Sequence, residues 1–122
     1  MPNTAFSSLR LAPELLDNIA SLGYETMTPI QAEGLPEILK GKDLLAQAKT
    51  GSGKTAAFGI GLLQKLKPRA SQTQALVLCP TRELADQVSK ELRRLARAIP
   101  NTRILTLCGG TPIKPQYASL QH

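Results

Sequence analysis

The chain is 122 residues long, 42% hydrophobic and 20% charged, which supplies one small core and excludes two full domains. Fifteen Lys and Arg against nine Asp and Glu leave a net charge of +6, which suits a phosphate-rich partner, while an aromatic share of 3% excludes a stacking platform as the main mode of binding one. No apolar run approaches the ~18 residues of a membrane span, and "MPNTAFSSLR" lacks the basic-then-apolar order of a secretion signal, so no membrane partner and a cytoplasmic setting are expected.

In chain order, the first helix is expected in "PELLDNIASLG". Pro13 suits a first helical position, Leu15, Leu16, Ile19 and Leu22 share one face, and Gly23 fits the stop. A second helix opens at Thr28, with Pro29 in its first turn, Gly41 at its end, and Pro36 inside it, where a kink is expected. "DLLAQA", Asp43 to Ala48, reads as a strand feeding a glycine loop, and a helix follows from Lys54 to about Leu66, before Pro68. "ALVLC" reads as a strand buried on both faces. The next helix, "RELADQVSKELRRLARAI", carries Leu84, Val88, Leu92, Leu95 and Ile99 on one stripe. "RILTLC" is a third strand, followed directly by Gly109 and Gly110. The alternation of strands and helices predicts an α/β fold with a parallel sheet and helices on both faces, joined by right-handed crossovers. Cys79 and Cys108 end two of the apolar runs and read as reduced core thiols. His122, the only histidine, is the last residue, where no ordered catalytic role is expected.

The loop "AKTGSGKT", Ala48 to Thr55, has the pattern of a phosphate-binding loop, with Ala48 in place of the usual first glycine. Backbone N–H groups around Gly51, Ser52 and Gly53 can point inward at phosphate oxygens because glycine tolerates the dihedrals required. The helix starting at Lys54 adds its positive end. Lys54 reaches outer phosphates, and the Thr55 hydroxyl suits Mg²⁺. Upstream, Gln31 lies three residues after Thr28. That spacing fits a capping box, while the Gln31 amide equally offers the donor and acceptor that match an adenine edge. In "PTRELA", Pro80 to Ala85, Thr81 can cap the long helix, or Thr81 and Arg82 can meet an anionic backbone. The pair Gly109 and Gly110 is a plain turn or a place of close approach.

Taken together and in this order, the segment Gly23–Gln31, "AKTGSGKT", "PTRELA" and "GG" resemble the first RecA-like domain of DEAD-box RNA helicases, over nearly the whole chain. The resemblance implies an incomplete amino-terminal RecA-like P-loop NTPase domain over 1–122, with a Q motif at 23–31, Walker A at 48–55, PTRELA at 80–85 and GG at 109–110. It implies ATP and Mg²⁺ as cofactors and RNA as partner, with ribosomal RNA and ribosome assembly implied by a similarly worded bacterial member. Gln31 would read adenine, Phe6 would pack on the base, and Tyr24 would shape the same pocket. Ala48, Lys49, Thr50, Gly51, Ser52, Gly53, Lys54 and Thr55 would hold phosphates, with Lys54 and Thr55 on the catalytic side and Thr55 on Mg²⁺. Thr81, Arg82, Gly109 and Gly110 would contact the RNA backbone.

The acidic box, the "SAT" motif and the second domain of that family are not in this sequence. The acidic residues after Lys54 are Glu83, Asp86 and Glu91, all in one expected helix. A truncated product is therefore expected, with weak or no ATP turnover and no unwinding by itself, since positioned charge accounts for most phosphoryl-transfer catalysis. A non-catalytic nucleotide- or RNA-binding module is the competing reading.

Overall fold

Gly23 closes the first helix by turning into left-handed backbone. In the computed structural model, which describes residues 4–121, α1 spans Pro13–Ser21. Beyond it the Gly23 N–H bonds Ala20 O at 3.0 Å and the Tyr24 N–H bonds Ile19 O at 3.2 Å. This paired closure takes up carbonyls that the helix end would otherwise leave open, and φ of 86° at position 23 is why glycine stands there. Helix α2, Pro29–Leu39, ends in the same way at Gly41 and runs on through Pro36. Helix α3 is Lys54–Gln64, α4 is Arg82–Leu95 and α5 is Ile113–Leu120. The reading of His122 lies outside the described residues.

The core forms where α2 and α4 pack against α3 and α1 closes over α4. Leu15, Ile19, Leu35, Ile60 and Leu95 are its most deeply buried large side chains. Each contributes roughly 1.5–3 kcal/mol by leaving water. Two glycines set the spacing of α3. A Cβ on Gly61 would stand 2.3 Å from Ile38 Cγ2 of α2, and one on Gly59 would stand 2.8 Å from Leu92 Cδ2 of α4. The helices approach more closely than any side chain at these positions would permit.

No ladder of the expected parallel sheet is present among the described residues. Among these residues the β pairing present is an isolated antiparallel bridge between Ala5 and Thr26. The runs at 43–48, 75–79 and 103–108 carry no ladder, and most of their leucines are exposed, with Leu45 wholly exposed and Leu78 84% exposed, while Leu44 packs against Gly34 of α2. Two of them nevertheless keep the alternation of a strand. Val77 and Cys79 are half-buried between exposed neighbours, as are Ile104, Thr106 and Cys108. One side faces the helices and the other has no covering layer, whereas a parallel sheet needs both faces covered. For the same reason the cysteines are half-buried free thiols and not core residues.

Helix α4 stops four residues short of the expected Ile99. The buried Asn18 amide of α1 donates to Arg94 O and Leu95 O, both at 2.8 Å. Those are the acceptors a continuing helix would need for residues 98 and 99. Ile99 N–H turns back to Ala96 O, and Asn101 adopts φ of 59°. Helix α5 was not expected. It starts directly after Pro112, which is its N-cap, and none of its residues is buried. No helix among the described residues is long and apolar enough to cross a membrane.

Candidate functional site

The glycine loop joins Ala48 to α3 in a tight turn, with Gly51 at φ 83° and Gly53 at φ 90°. Gly53 is the N-cap of α3, and no side chain caps the helix there, so its first-turn N–H groups face the loop without a competing side-chain acceptor. Lys54 Nζ donates to the Ala48 carbonyl, which lays the ammonium across the loop mouth. The Ser52 hydroxyl is buried and has no hydrogen-bond partner. Glycine backbone in the left-handed region, a helix N-terminus and a lysine over one concavity form a set of donors suited to a di- or triphosphate. Thr55 stands one residue further along and lines the same groove, where its hydroxyl is the chain's candidate for Mg²⁺.

Gln31 packs directly against this loop and is 3% exposed. Its Oε1 accepts from the Thr28 N–H at 3.0 Å, and its Nε2 donates to Gly53 O at 3.1 Å. The capping reading therefore holds for the glutamine half of the box. The Thr28 hydroxyl faces the helix start, but it is buried without a partner that meets hydrogen-bond geometry. An amide has two N–H groups and two carbonyl lone pairs, so one donor and one acceptor of Gln31 stay open for a base edge.

Tyr24 also lines the groove, which has a volume of about 1210 Å³ and runs from the glycine loop along α3 to α4. The Tyr24 hydroxyl donates to Glu91 Oε1 of α4, and Arg94 Nη1 donates to Glu91 Oε2 at 3.1 Å. Burial, reinforced by the Glu91 carboxylate, pushes the Tyr24 phenol above its ordinary pKa of 10.0. The neutral phenol is thus favoured by folding. Its contribution to stability is complete below the unfolded pKa and is lost as pH rises through the higher folded value. A spectrophotometric titration should show a tyrosinate component appearing above pH 10.0 that is missing in Tyr24→Phe. A Tyr24 component, taken as the difference between the two curves, with its midpoint at pH 10.0 would show that the hydroxyl is not engaged in solution. Phe6 is not brought to the groove. It sits in a 3-10 turn, Phe6–Ser8, is 5% exposed, and packs in the hydrophobic core.

The second group of expected site residues meets elsewhere. Thr81 is the N-cap of α4, its hydroxyl accepting from the Leu84 N–H at 3.1 Å. The neighbouring Arg82 lays its guanidinium over the glycine pair, with Nη1 3.4 Å from Gly109 O. A Cβ on Gly110 would come within 2.3 Å of Arg82 Nη1, and Gly110 has φ of 79°. "PTRELA" and "GG" thus form one exposed basic corner in which a helix N-terminus, an arginine and small residues lie together. Sequence reasoning missed Glu91 and Asn18 as partners. Glu91 carried one available signal, an acid within the apolar and basic second half of α4, between Leu92 and Lys90.

Comparison with known proteins identifies the family. The DEAD/DEAH box helicase family model matches residues 28–122. The ATP-dependent RNA helicase DbpA of Escherichia coli (strain K12) is 68% identical over 120 residues, 98% of this chain and 26% of its own length. The DEAD-box ATP-dependent RNA helicase CshA of Geobacillus kaustophilus is 46% identical over 118 residues, 97% of this chain and 25% of its own. Among solved structures, a DEAD box protein from the hyperthermophile Methanococcus jannaschii superposes with a TM-score of 0.90 at 38% identity, over 96% of this chain and 32% of that one. The RNA helicase Prp28 from Chaetomium thermophilum, bound to ADP, superposes with a TM-score of 0.83 at 36% identity, over 99% of this chain and 30% of that one. The chain spans about a quarter of the length of the curated relatives it matches.

Proposed function

The chain belongs to the DEAD/DEAH box helicase family, and on that premise we propose that it supplies the adenine-nucleotide grip, and part of the RNA grip, of an ATP-dependent RNA helicase. The observation that carries this reading is Gln31, which bridges Thr28 N–H and Gly53 O while keeping a donor and an acceptor for a base. Gln31 orients the adenine edge, and the loop N–H groups with the start of α3 hold the phosphates. Lys54 exchanges its Ala48 contact for the outer phosphate oxygens, and the Thr55 hydroxyl faces Mg²⁺. When bound, Mg²⁺ supplies positive charge that offsets the crowded phosphate oxygens. At the basic corner, Thr81, Arg82 and the Gly109–Gly110 backbone bind sugar-phosphate without reading sequence. Ribosomal RNA in a cytoplasmic setting is the substrate class proposed from the resemblance.

In the same reading the runs at 43–48, 75–79 and 103–108 are strands of a parallel sheet, supported by the alternating burial of the latter two. The chain's own residues bind nucleotide without turning it over. Of the carboxylates after Lys54, Asp86 is paired with Lys90 and Glu91 with Tyr24 and Arg94, while Glu83 lies in the first turn of α4. None of these pairings leaves an acid at Thr55 to orient an attacking water.

Titration of ribose-labelled ADP and of labelled single-stranded RNA onto the purified chain tests both grips. Lys54→Ala should weaken ADP binding by about tenfold or more, the scale of a lost charge-assisted contact, and leave RNA affinity unchanged. Arg82→Ala should do the reverse and flatten the salt dependence of RNA binding. Equal loss of both ligands in either variant would contradict the assignment of two separate grips.

A further inference from the structure

Glu91 stands where an acid is costly. It lies on α4 beside Val88, Leu92 and Leu95, its side chain is 19% exposed, and it lines the groove. Placing a carboxylate in such a position is unfavourable unless partners compensate. Here both oxygens are used, one by the Tyr24 hydroxyl and the other by Arg94. Tyr24 in turn opens the connection from α1 to α2, the segment that delivers Thr28 and Gln31 to the glycine loop. That connection is held at its start by the Gly23 closure and further along by the Ala5–Thr26 bridge and the Met27 N–H bond to Thr4 O. Among the described residues, its side-chain tie to α4 is Tyr24 to Glu91. Nine residues before Glu91, about 14 Å along the same helix, α4 begins with Arg82 on the glycine pair.

We propose that Glu91 is a positioning residue for adenine-nucleotide binding: through the Tyr24 hydroxyl it fixes the α1–α2 connection onto α4, and so sets the orientation of Gln31 over Gly53. The inference rests on the nucleotide reading above and adds a residue which that reading does not use. Glu91 touches no ligand in this scheme. It acts on the base-reading end of the groove and not on the phosphate end, where Lys54 and the loop N–H groups are anchored independently by α3. Its loss should therefore cost discrimination between bases more than it costs phosphate affinity.

The test compares ribose-labelled ADP with ribose-labelled GDP on the intact chain and on Glu91→Ala, Glu91→Gln, Tyr24→Phe and the double variant Tyr24→Phe/Glu91→Ala. Circular dichroism checks that each variant is folded. Glu91→Ala should weaken ADP about tenfold, the scale of one lost charged hydrogen bond, while GDP affinity changes less than about twofold. Glu91→Gln keeps an acceptor for the Tyr24 hydroxyl and should stay within about threefold of the parent for ADP. Tyr24→Phe should reproduce the ADP loss, and the double variant should be no worse than either single one, since all three remove the same contact. ADP and GDP affinities falling together would overturn the proposal, because that pattern marks a merely structural acid. Unchanged ADP affinity in folded Tyr24→Phe would overturn it equally, even if Glu91→Ala failed to fold. A parent chain with no affinity for ADP would instead remove the nucleotide reading itself, and this proposal with it.

Discussion

Gly53→Ala is expected to abolish detectable adenine-nucleotide binding, with affinity for labelled ADP falling by about 100-fold or more. Two costs combine. Position 53 has φ of 90°, where a side chain costs about 1–3 kcal/mol. The added Cβ would also stand 2.4 Å from Gln31 Nε2 and 2.9 Å from the Thr28 hydroxyl. Relief requires the Gln31 amide to withdraw, which breaks its bond to Gly53 O and misdirects the donor and acceptor left for the base. Each charge-free hydrogen bond lost this way is worth about 1 kcal/mol, and a misplaced base forfeits more than one. Gly51→Ala is the control. It carries the same kind of backbone strain at φ of 83°, but a Cβ there meets nothing within 4 Å. Its thermal stability should fall by the strain alone, with Gln31 undisturbed. Equal ADP affinities for the two variants would refute the argument that Gln31 and Gly53 act as one unit.

The largest expected loss of stability comes from Ile60→Ala. Ile60 is 0% exposed at the centre of α3, between the faces that α2 and α4 present. Truncation leaves a cavity and costs about 2–5 kcal/mol. Domains carry only about 5–15 kcal/mol in total, and this one keeps Leu45, Leu76 and Leu78 outside its core, so a large share of its stability should go. Urea denaturation followed by circular dichroism measures it. Leu78→Ala, at a residue 84% exposed, should shift the same curve by no more than about 0.5 kcal/mol. A comparable shift for both would show that Leu78 is covered in solution, as it would be in a parallel sheet with both faces covered.

The helices were legible because their signals are local. Pro13 and Pro29 at first turns, Gly23 and Gly41 just past the ends, and Thr81 before the long amphipathic run each act within one turn of themselves. The glycine loop was legible for the same reason, and so was the spacing of Thr28 and Gln31. The sheet was not, because a strand is defined by what it pairs with. An apolar run such as "ALVLC" specifies burial without naming its neighbour or guaranteeing a second covering layer. The early end of α4 was hidden for a related reason. Asn18 is 76 positions from the carbonyl of Arg94 that it occupies, and nothing near Arg94 announces it. Phe6 was assigned to the base only through the family resemblance, and the 3-10 turn directs its ring into the core.

The two glycines of α3 have a consequence for how ligand and fold depend on each other. Glycine inside a helix costs about 1 kcal/mol against alanine, so "KTAAFGIGLLQ" is a poor helix in isolation and is kept helical by α2 and α4 on either side. The N-terminus of that same helix is the positive end of the phosphate cradle. Phosphate bound there is held by a helix that exists only in the folded chain. Saturating ADP at a hundred times its dissociation constant should therefore add about 2.7 kcal/mol to unfolding, as linkage requires of any ligand restricted to the native state. A peptide cut out as residues 48–66 should have neither the helix nor the grip.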